Sequence, residues 1–371
     1  MTASPSDVVL VFGAGATKAC GGPMTNEILP KAFRSHAQDP FTRQDHLATL
    51  TDFLTERFNL PEASVRQDRH FPALPLLMSL VDTAIDRKQP FGGKWELERL
   101  GQVRAALEYT IFALLQRELE KIGDGETLYY SLFNKIADKT QAPPQIISLN
   151  YDIVADSELY LLSREKLKER YAFPDYGCDI QTPRYLQNEE LRYGTILKLH
   201  GSLHWMCCSL CNRLDIGYSG RSSRFVKLNV ELFEERDELE GRYGPYGIQC
   251  RDSGCEGHVR PILITPTHRK DYRNPHVARI WYEADRLLRQ ARRVIFIGYS
   301  LPDDDVEVIY LFKQALAHLE GKAITVVERV PIDDQTNLVG SRYRALFGDL
   351  LDWHPEGFKD WLHNAANQLL A

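Results

Sequence analysis

The sequence predicts an α/β protein built on a Rossmann-like, doubly wound parallel sheet, and three observations carry that prediction. The run Val8-Val9-Leu10-Val11-Phe12 is continuously apolar and stops at Gly13-Ala14-Gly15, as a buried parallel strand does on entering a tight turn. A second such run, Ile146-Ile147-Ser148-Leu149, follows Pro143-Pro144 and ends at Asn150-Tyr151-Asp152. Towards the C-terminus, short β-rich runs at residues 262–264, 294–297 and 324–327 alternate with helical patterns at 277–290 and 306–319, with one more strand candidate at 196–199.

The stretches between these runs have their own character. Residues 26–140 read as a helical insertion after the first strand. Its clearest part is 95–122, where Leu97, Leu100, Val103, Leu107, Ile111, Leu114 and Leu115 recur at helical spacing. Residues 203–260 break the alternation with clustered Cys, Gly and charged residues and read as a small inserted module. The expected organisation is a single domain over 1–371 that carries both.

With 371 residues, 43% of them hydrophobic, the chain can bury a full core. A formal net charge of -6 supplies no general attraction to nucleic acid, and no direct nucleic-acid partner is expected despite the arginines between Arg286 and Arg293. The Val8 to Phe12 run is too short for a signal sequence or a membrane span, so a cytoplasmic protein without a membrane partner is expected. Five of the seven cysteines lie between Cys207 and Cys255, a crowding that fits a metal site in a reducing compartment better than a disulfide framework. Cys208, Cys211, Cys250 and Cys255 supply the four thiolates of a structural zinc knuckle. Cys207 could replace Cys208, His258 is a weaker ligand candidate, and reduced unligated cysteines are the alternative.

Gly13-Ala14-Gly15-Ala16-Thr17 follows a strand, so its backbone amides could approach a diphosphate and Thr17 could add a hydroxyl; a glycine turn needed only for steric reasons is the plain alternative. A Walker loop would require Gly-Lys-Ser/Thr at its end, and a dehydrogenase fingerprint a third glycine where Lys18 stands. Asp303-Asp304-Asp305 reads as a helix N-terminus, with a helper role in positioning a cofactor as the second reading.

Read onward to Gly21-Gly22-Pro23, the loop resembles the opening of sirtuins, where Gly-Ala-Gly is followed at this distance by Gly-x-Pro. Three more matches follow in family order: Asn150-Tyr151-Asp152 resembles the sirtuin Asn-x-Asp, His200-Gly201 its His-Gly pair, and Gly298-Tyr299-Ser300-Leu301 its later glycine-rich turn. The resemblance spans residues 8–328 and implies a sirtuin-like fold with an NAD site. It assigns the diphosphate to Gly13, Ala14, Gly15, Ala16 and Thr17 with Pro23 and Thr25 beside them, and the nicotinamide-side ribose to Asn150, Asp152 and His200. The adenosine end falls to Gly298, Tyr299, Ser300 and Glu328. It also implies zinc directly after His200-Gly201, where the cysteine module stands.

Under that resemblance His200 accepts a proton from a ribose hydroxyl or water, Asn150 orients that group through its amide, and Asp152 orients the loop or balances charge on the ribose. The departures from protein-deacylating sirtuins are as informative. Asp-Phe-Arg after the loop proline is replaced by Met24-Thr25-Asn26, Gln before the Asn by Leu149, and the Phe-Gly-Glu expected after Arg260-Pro261 by Thr265-Pro266-Thr267. This combination is similar to the SIR2-like domains of bacterial anti-phage defence, which hydrolyse NAD to nicotinamide and ADP-ribose. The resemblance thus implies an NAD glycohydrolase restrained by homo-oligomerisation or by a regulatory partner, an ATPase or an Argonaute-like protein. A protein deacylase and an NAD- or ADP-ribose-sensing module without turnover are the competing expectations.

Overall fold

Strand β1 (Val8–Phe12) lies at the centre of the larger of the two sheets among the described residues, with Val9 to Phe12 fully buried. The computed structural model describes residues 7–35, 44–60, 71–122, 126–170, 172–181, 191–208, 210–216, 243–244, 247–250, 252, 254–263, 274–334, 336–364 and 366. On one side β1 pairs in parallel with β2 (Gln145–Ser148), followed outward by β4 (Arg192–Lys198) and β3 (Phe173–Asp175). On the other side it pairs with β10 (Arg293–Ile297), followed by β11 (Ile324–Val327) and β12 (Leu351–His354), again all parallel. The chain fills one half of the sheet from β1 and then returns to start the other half beside it. The β1/β10 junction is therefore the topological switch point, the place where an open α/β sheet leaves a crevice at its carboxyl edge.

The parallel α/β class read from the sequence is the class observed, with one reassignment. The 262–264 run belongs to β9 (His258–Leu263), which lies in a second sheet, antiparallel to β5 (Gly201–Cys208). The cause lies in the preceding connection. Only Leu199 and His200 separate β4 from β5, whereas a parallel crossover needs a dozen residues or more, so the chain leaves the first sheet and pairs antiparallel instead. The second sheet runs β6 (Leu214–Ile216), β5, β9, β8 (Gly247–Gln249) and β7 (Tyr243–Gly244). Thr265, Pro266 and Thr267 lie outside the described residues.

Helices after β1 fall into two groups. The short α1 (Ala14–Ala19) leaves the glycine turn directly. Helices α2 (Ile28–Ser35), α3 (Gln44–Phe58), α4 (Leu74–Asp86) and α5 (Leu97–Glu120) share a core of their own around Leu50, Phe53, Leu77, Trp95 and Leu107. In contrast, α6 (Leu128–Thr140) sends Tyr129, Leu132 and Phe133 into the core of the parallel sheet. Helices α7 (Val154–Lys166), α8 (Pro275–Gln290), α9 (Val306–Ala315), α10 (Leu338–Phe347) and α11 (Gly357–Asn364) also pack on that sheet's core. The pattern over 306–319 is helical only to Ala315, because the Leu319 amide turns back to the Leu316 carbonyl and His318 Nδ1 meets the Ala315 carbonyl at 3.0 Å.

At the switch point two backbones touch. The Gly13 amide donates to the Ile297 carbonyl at 3.1 Å, and the Gly15 amide to the Gly298 carbonyl at 2.8 Å. A Cβ on Gly15 would lie 2.8 Å from Gly298 Cα, and a Cβ on Gly298 would collide with the backbone of Gly15 and Ala16. Gly298 also has φ +63°, a conformation that side-chain-bearing residues rarely adopt. Gly321, with φ +62° and nothing within 4 Å of an added Cβ, isolates the conformational cost alone.

Gly298→Ala is accordingly expected to destabilise the protein by about 1–3 kcal/mol more than Gly321→Ala, which carries only the left-handed penalty of about 1–2 kcal/mol. Urea unfolding of the two variants measures the difference, and equal midpoints would mean that the β1 and β10 turns do not hold each other.

Candidate active site and metal centre

In the β2/β4 register Ser148 faces Lys198. The ladders continue one residue further, with the Leu149 amide donating to the Phe12 carbonyl at 2.9 Å and the Leu199 amide to the Ser148 carbonyl at 3.1 Å. Asn150 and His200, each two residues past its strand, are therefore lateral neighbours at the carboxyl edge, and both are buried. Their turn sits between the two cores. Leu149 and Ile153 belong to the sheet core, while Tyr151 packs against the helical one.

The Asn150 amide is committed on its donor side, giving one hydrogen bond to the Gly13 carbonyl at 3.0 Å and one to Thr17 Oγ1 at 3.1 Å. Thr17 in turn donates to Asp152 Oδ2 at 2.8 Å. Because that hydroxyl has one proton, the Tyr129 hydroxyl, 3.0 Å away, must donate to it. Asp152 Oδ1 accepts from the Val154 amide, the first of α7, at 3.0 Å. Burial pushes the Asp152 carboxyl up from the ordinary aspartate range, against the opposing pull of the Lys198 ammonium and the Thr17 hydroxyl. These bonds join the Gly13 loop, the Asn150 turn and α6 into one buried cluster. The loop's own amides are also engaged: Gly13 and Gly15 on the β10 turn, and Ala16 on the Gly13 carbonyl at 3.0 Å.

Beneath this cluster lies a polar layer that the sequence did not announce. Lys198 is fully buried and donates to the Asp152 carbonyl and, at 3.0 Å, to Asp156 Oδ2. His204 is held between Ser202 Oγ, 2.8 Å from Nδ1, and the Tyr176 hydroxyl, 3.2 Å from Nε2. Burial pushes the His204 imidazole down to about 4, which leaves it neutral at pH 7. The one available cue was a lysine inside the otherwise apolar run Ile196-Leu197-Lys198-Leu199.

His200 is oriented from both sides. Its Nδ1 lies 3.3 Å from the Leu149 carbonyl, an acceptor only, so the Nδ1 proton is the one that makes this contact. Its Nε2 faces Asp305 Oδ1 at 3.6 Å. The other oxygen of that carboxylate accepts from the Tyr299 hydroxyl at 2.8 Å, and the Tyr343 hydroxyl donates to the Tyr299 carbonyl at 3.0 Å. Asp305 occupies the N-cap position of α9, yet its side chain makes no capping bond. Asp305 thus stands at the helix start the sequence predicts, but its carboxylate turns inward to Tyr299 and His200 instead of capping the helix.

The remaining expected site residues take several environments. Ala14 and Gly15 are partly exposed at the edge, whereas Pro23 is buried and Thr25 opens a 3-10 turn, Thr25–Glu27. Tyr299 is buried; Ser300 is exposed and its carbonyl accepts from Arg342 Nη1 at 3.4 Å. Glu328 is half-buried at the end of β11, where its amide donates to the His354 carbonyl and its carboxylate accepts from the Arg329 amide.

The four expected zinc ligands converge. The sulfurs of Cys208, Cys211, Cys250 and Cys255 all lie within 4.8 Å of one another, with Cys208 to Cys255 at 3.6 Å and Cys211 to Cys250 at 3.7 Å. Tetrahedral zinc with Zn–S bonds of about 2.3 Å sets ligand sulfurs roughly 3.8 Å apart, so the set fits a closed structural ion. Strand alternation decides between the adjacent cysteines. Cys208 faces the metal cluster, while Cys207 points into the core of the parallel sheet near Asn274 Nδ2. The Leu210 amide donates to Cys208 Sγ and the Gly257 amide to Cys255 Sγ, bonds that favour thiolates. Although burial raises it, Cys208 is brought down to about 7 by such amides. Gly257 has no room for a side chain, since a Cβ there would sit 2.5 Å from Cys208 Sγ.

No protein-family model matches the chain, and no curated protein matches it. Among solved structures it is similar to a complex of Sir2 with a p53 peptide and NAD+, over 97% of this chain and 92% of that one, at 14% identity and a TM-score of 0.41. It is similar also to a structure of Sir2 enzymes (98% and 92%, 12% identity, TM-score 0.42) and to a complex of a Sir2 homolog with NAD (98% and 90%, 12% identity, TM-score 0.40).

Cys211→Ser and Gly257→Ala should each reduce bound zinc from one ion per chain to well below half, although Cys211 is exposed and its loss opens no cavity. Metal analysis alongside a thermal melt checks this. Full zinc content in both variants would remove the four-cysteine assignment.

Proposed function

We propose that this protein is an NAD+ glycohydrolase, cleaving NAD to nicotinamide and ADP-ribose as a regulated NAD-depleting effector in anti-phage defence. The observation that carries the reading is the lateral pairing of Asn150 and His200 at the carboxyl edge, next to the switch point and on the network that fixes the Gly13 loop. The family-ordered motifs and the departures at Met24-Thr25-Asn26 and Leu149 favour hydrolysis over peptide deacylation.

In this reading the nicotinamide-side ribose sits between Asn150 and His200, the diphosphate lies against Ala14 and Gly15, and the adenosine end extends past Gly298 and Ser300 towards Glu328. With its two amide protons given to Gly13 and Thr17, Asn150 offers Oδ1 to a hydroxyl or water. His200, protonated on Nδ1, offers the Nε2 lone pair as base. Cleavage builds positive charge on the ribose. The bond between ribose C1′ and the nicotinamide nitrogen breaks with its electron pair on that nitrogen, water oxygen bonds to C1′, and the water proton passes to Nε2 and then to solvent. Asp152 acts one step removed, by fixing Thr17 and the start of α7. Zinc stays outside the chemistry. Control by self-assembly or by an ATPase or Argonaute-like partner belongs to the same proposal, as does the division of a single 1–371 domain into the 26–140 and 203–260 insertions.

His200→Ala should lower nicotinamide release at saturating NAD by about 100- to 10,000-fold while zinc content and NAD affinity change little. Asn150→Ala should lose turnover as well, but with a lower melting temperature, because it also removes bonds to Gly13 and Thr17. Chromatography of products, a melt and a binding titration separate these effects. Nicotinamide release only in the presence of an acyl-lysine peptide would point to a deacylase, and stabilisation by NAD without any product to a sensor.

A further inference from the structure

We propose that Asp305 is the positioning partner of His200: it aims the Nε2 side of the imidazole and stabilises the imidazolium that forms when His200 takes a proton. The geometry has three parts. The Leu149 carbonyl keeps the neutral ring's proton on Nδ1, which makes Nε2 the basic atom. Asp305 Oδ1 stands 3.6 Å from that atom, a separation wider than a hydrogen bond and able to close once Nε2 carries a proton. The carboxylate is itself fixed, since its second oxygen accepts from the Tyr299 hydroxyl at 2.8 Å, and Tyr299 is tied through its carbonyl to Tyr343. Asp305 is buried, so its charge acts on His200 with little solvent screening.

The pair bridges the two halves of the sheet. His200 stands after β4 and Asp305 before α9, in the connection that leaves β10, so a carboxylate from beyond the switch point reaches a histidine from the β2/β4 side. Among the described residues, the groups that face His200 include this carboxylate, the Leu149 carbonyl on Nδ1 and the Tyr151 ring, whose centroid is 6.2 Å from the imidazole. Neither Asp303 nor Asp304 shares the position: Asp303 is exposed and pairs with Arg342 at 3.0 Å. For the reaction this inference rests on the hydrolase reading. The pairing itself can be tested without turnover.

The test compares Asp305→Asn, Asp305→Glu and Tyr299→Phe in the full-length zinc-loaded protein. In Asp305→Asn, kcat for nicotinamide release should fall about 10- to 100-fold with KM within about twofold. The acid limb of the kcat profile should move to lower pH, because an imidazolium that loses its carboxylate gives up its proton more readily. Asp305→Glu should recover part of the rate, and Tyr299→Phe, which loosens the carboxylate without removing it, should give a smaller shift in the same direction. In parallel, NMR of ring-labelled histidine, assigned with His200→Ala, follows the His200 titration with no substrate present. A lower titration midpoint in Asp305→Asn supports the pairing even if the wild type releases no nicotinamide, in which case it is the hydrolase reading that fails. An unchanged His200 titration in Asp305→Asn overturns the proposal whatever the activity. If that variant does not fold, the same comparison in Tyr299→Phe decides, and an unmoved midpoint there overturns it.

Discussion

The contact between the backbones of Gly15 and Gly298 sets everything else at the carboxyl edge. Two strands that are neighbours in space but separated by most of the chain end at the same level, and their turns can meet only because neither glycine presents a Cβ. With the first turn fixed in this way, the Gly13 carbonyl and Thr17 hydroxyl are in place to receive the Asn150 amide. Asn150 then brings its own turn into line with His200. In the sequence these glycines read either as room for a ligand's phosphates or as a steric need of the turn itself. In the structure they are first of all room for another piece of the chain, and the ligand reading rests on the partly exposed Ala14 and Gly15.

Burial makes the same network demanding. Lys198, without solvent contact, has to find acceptors inside the protein, and it finds the Asp152 carbonyl and the Asp156 carboxylate. An ion pair this deep gains little net stability, because desolvation offsets most of its attraction, but losing either partner would strand a charge. Its consequence is geometric: the Asn150–Asp152 turn is tied from below by Lys198 and from the side by Thr17. The proposed chemistry on a ribose needs its groups held within fractions of an ångström, and such ties would supply that rigidity.

What could be read from the sequence, and what could not, follows from how local each signal is. The strands at 8–12, 294–297 and 324–327 were legible because buried parallel strands are short apolar runs bounded by turns. β3 was missed because three residues around a proline carry no pattern, and β5 because its eight buried positions include Ser202, His204, Cys207 and Cys208, which do not look like a strand. The spacing of the cysteines pointed to four ligands, but choosing Cys208 over Cys207 required knowing that both lie on one strand and so face opposite ways. Asp305 shows the limit most plainly. Three successive aspartates are equivalent in sequence, and only the fold, with Leu301 at φ +49° and Tyr299 waiting beside it, turns the third one inward.

In the proposed reading one ligand, bound across the switch point, places its reactive sugar between Asn150 and His200. A crystal structure of the zinc-loaded His200→Ala protein soaked with NAD tests it directly. The nicotinamide-side ribose is expected within hydrogen-bond reach of Asn150 Oδ1, beside the space left by the imidazole and close to Asp305. NAD bound on another face of the molecule, or in the same cleft with its ribose directed away from Asn150, would contradict it.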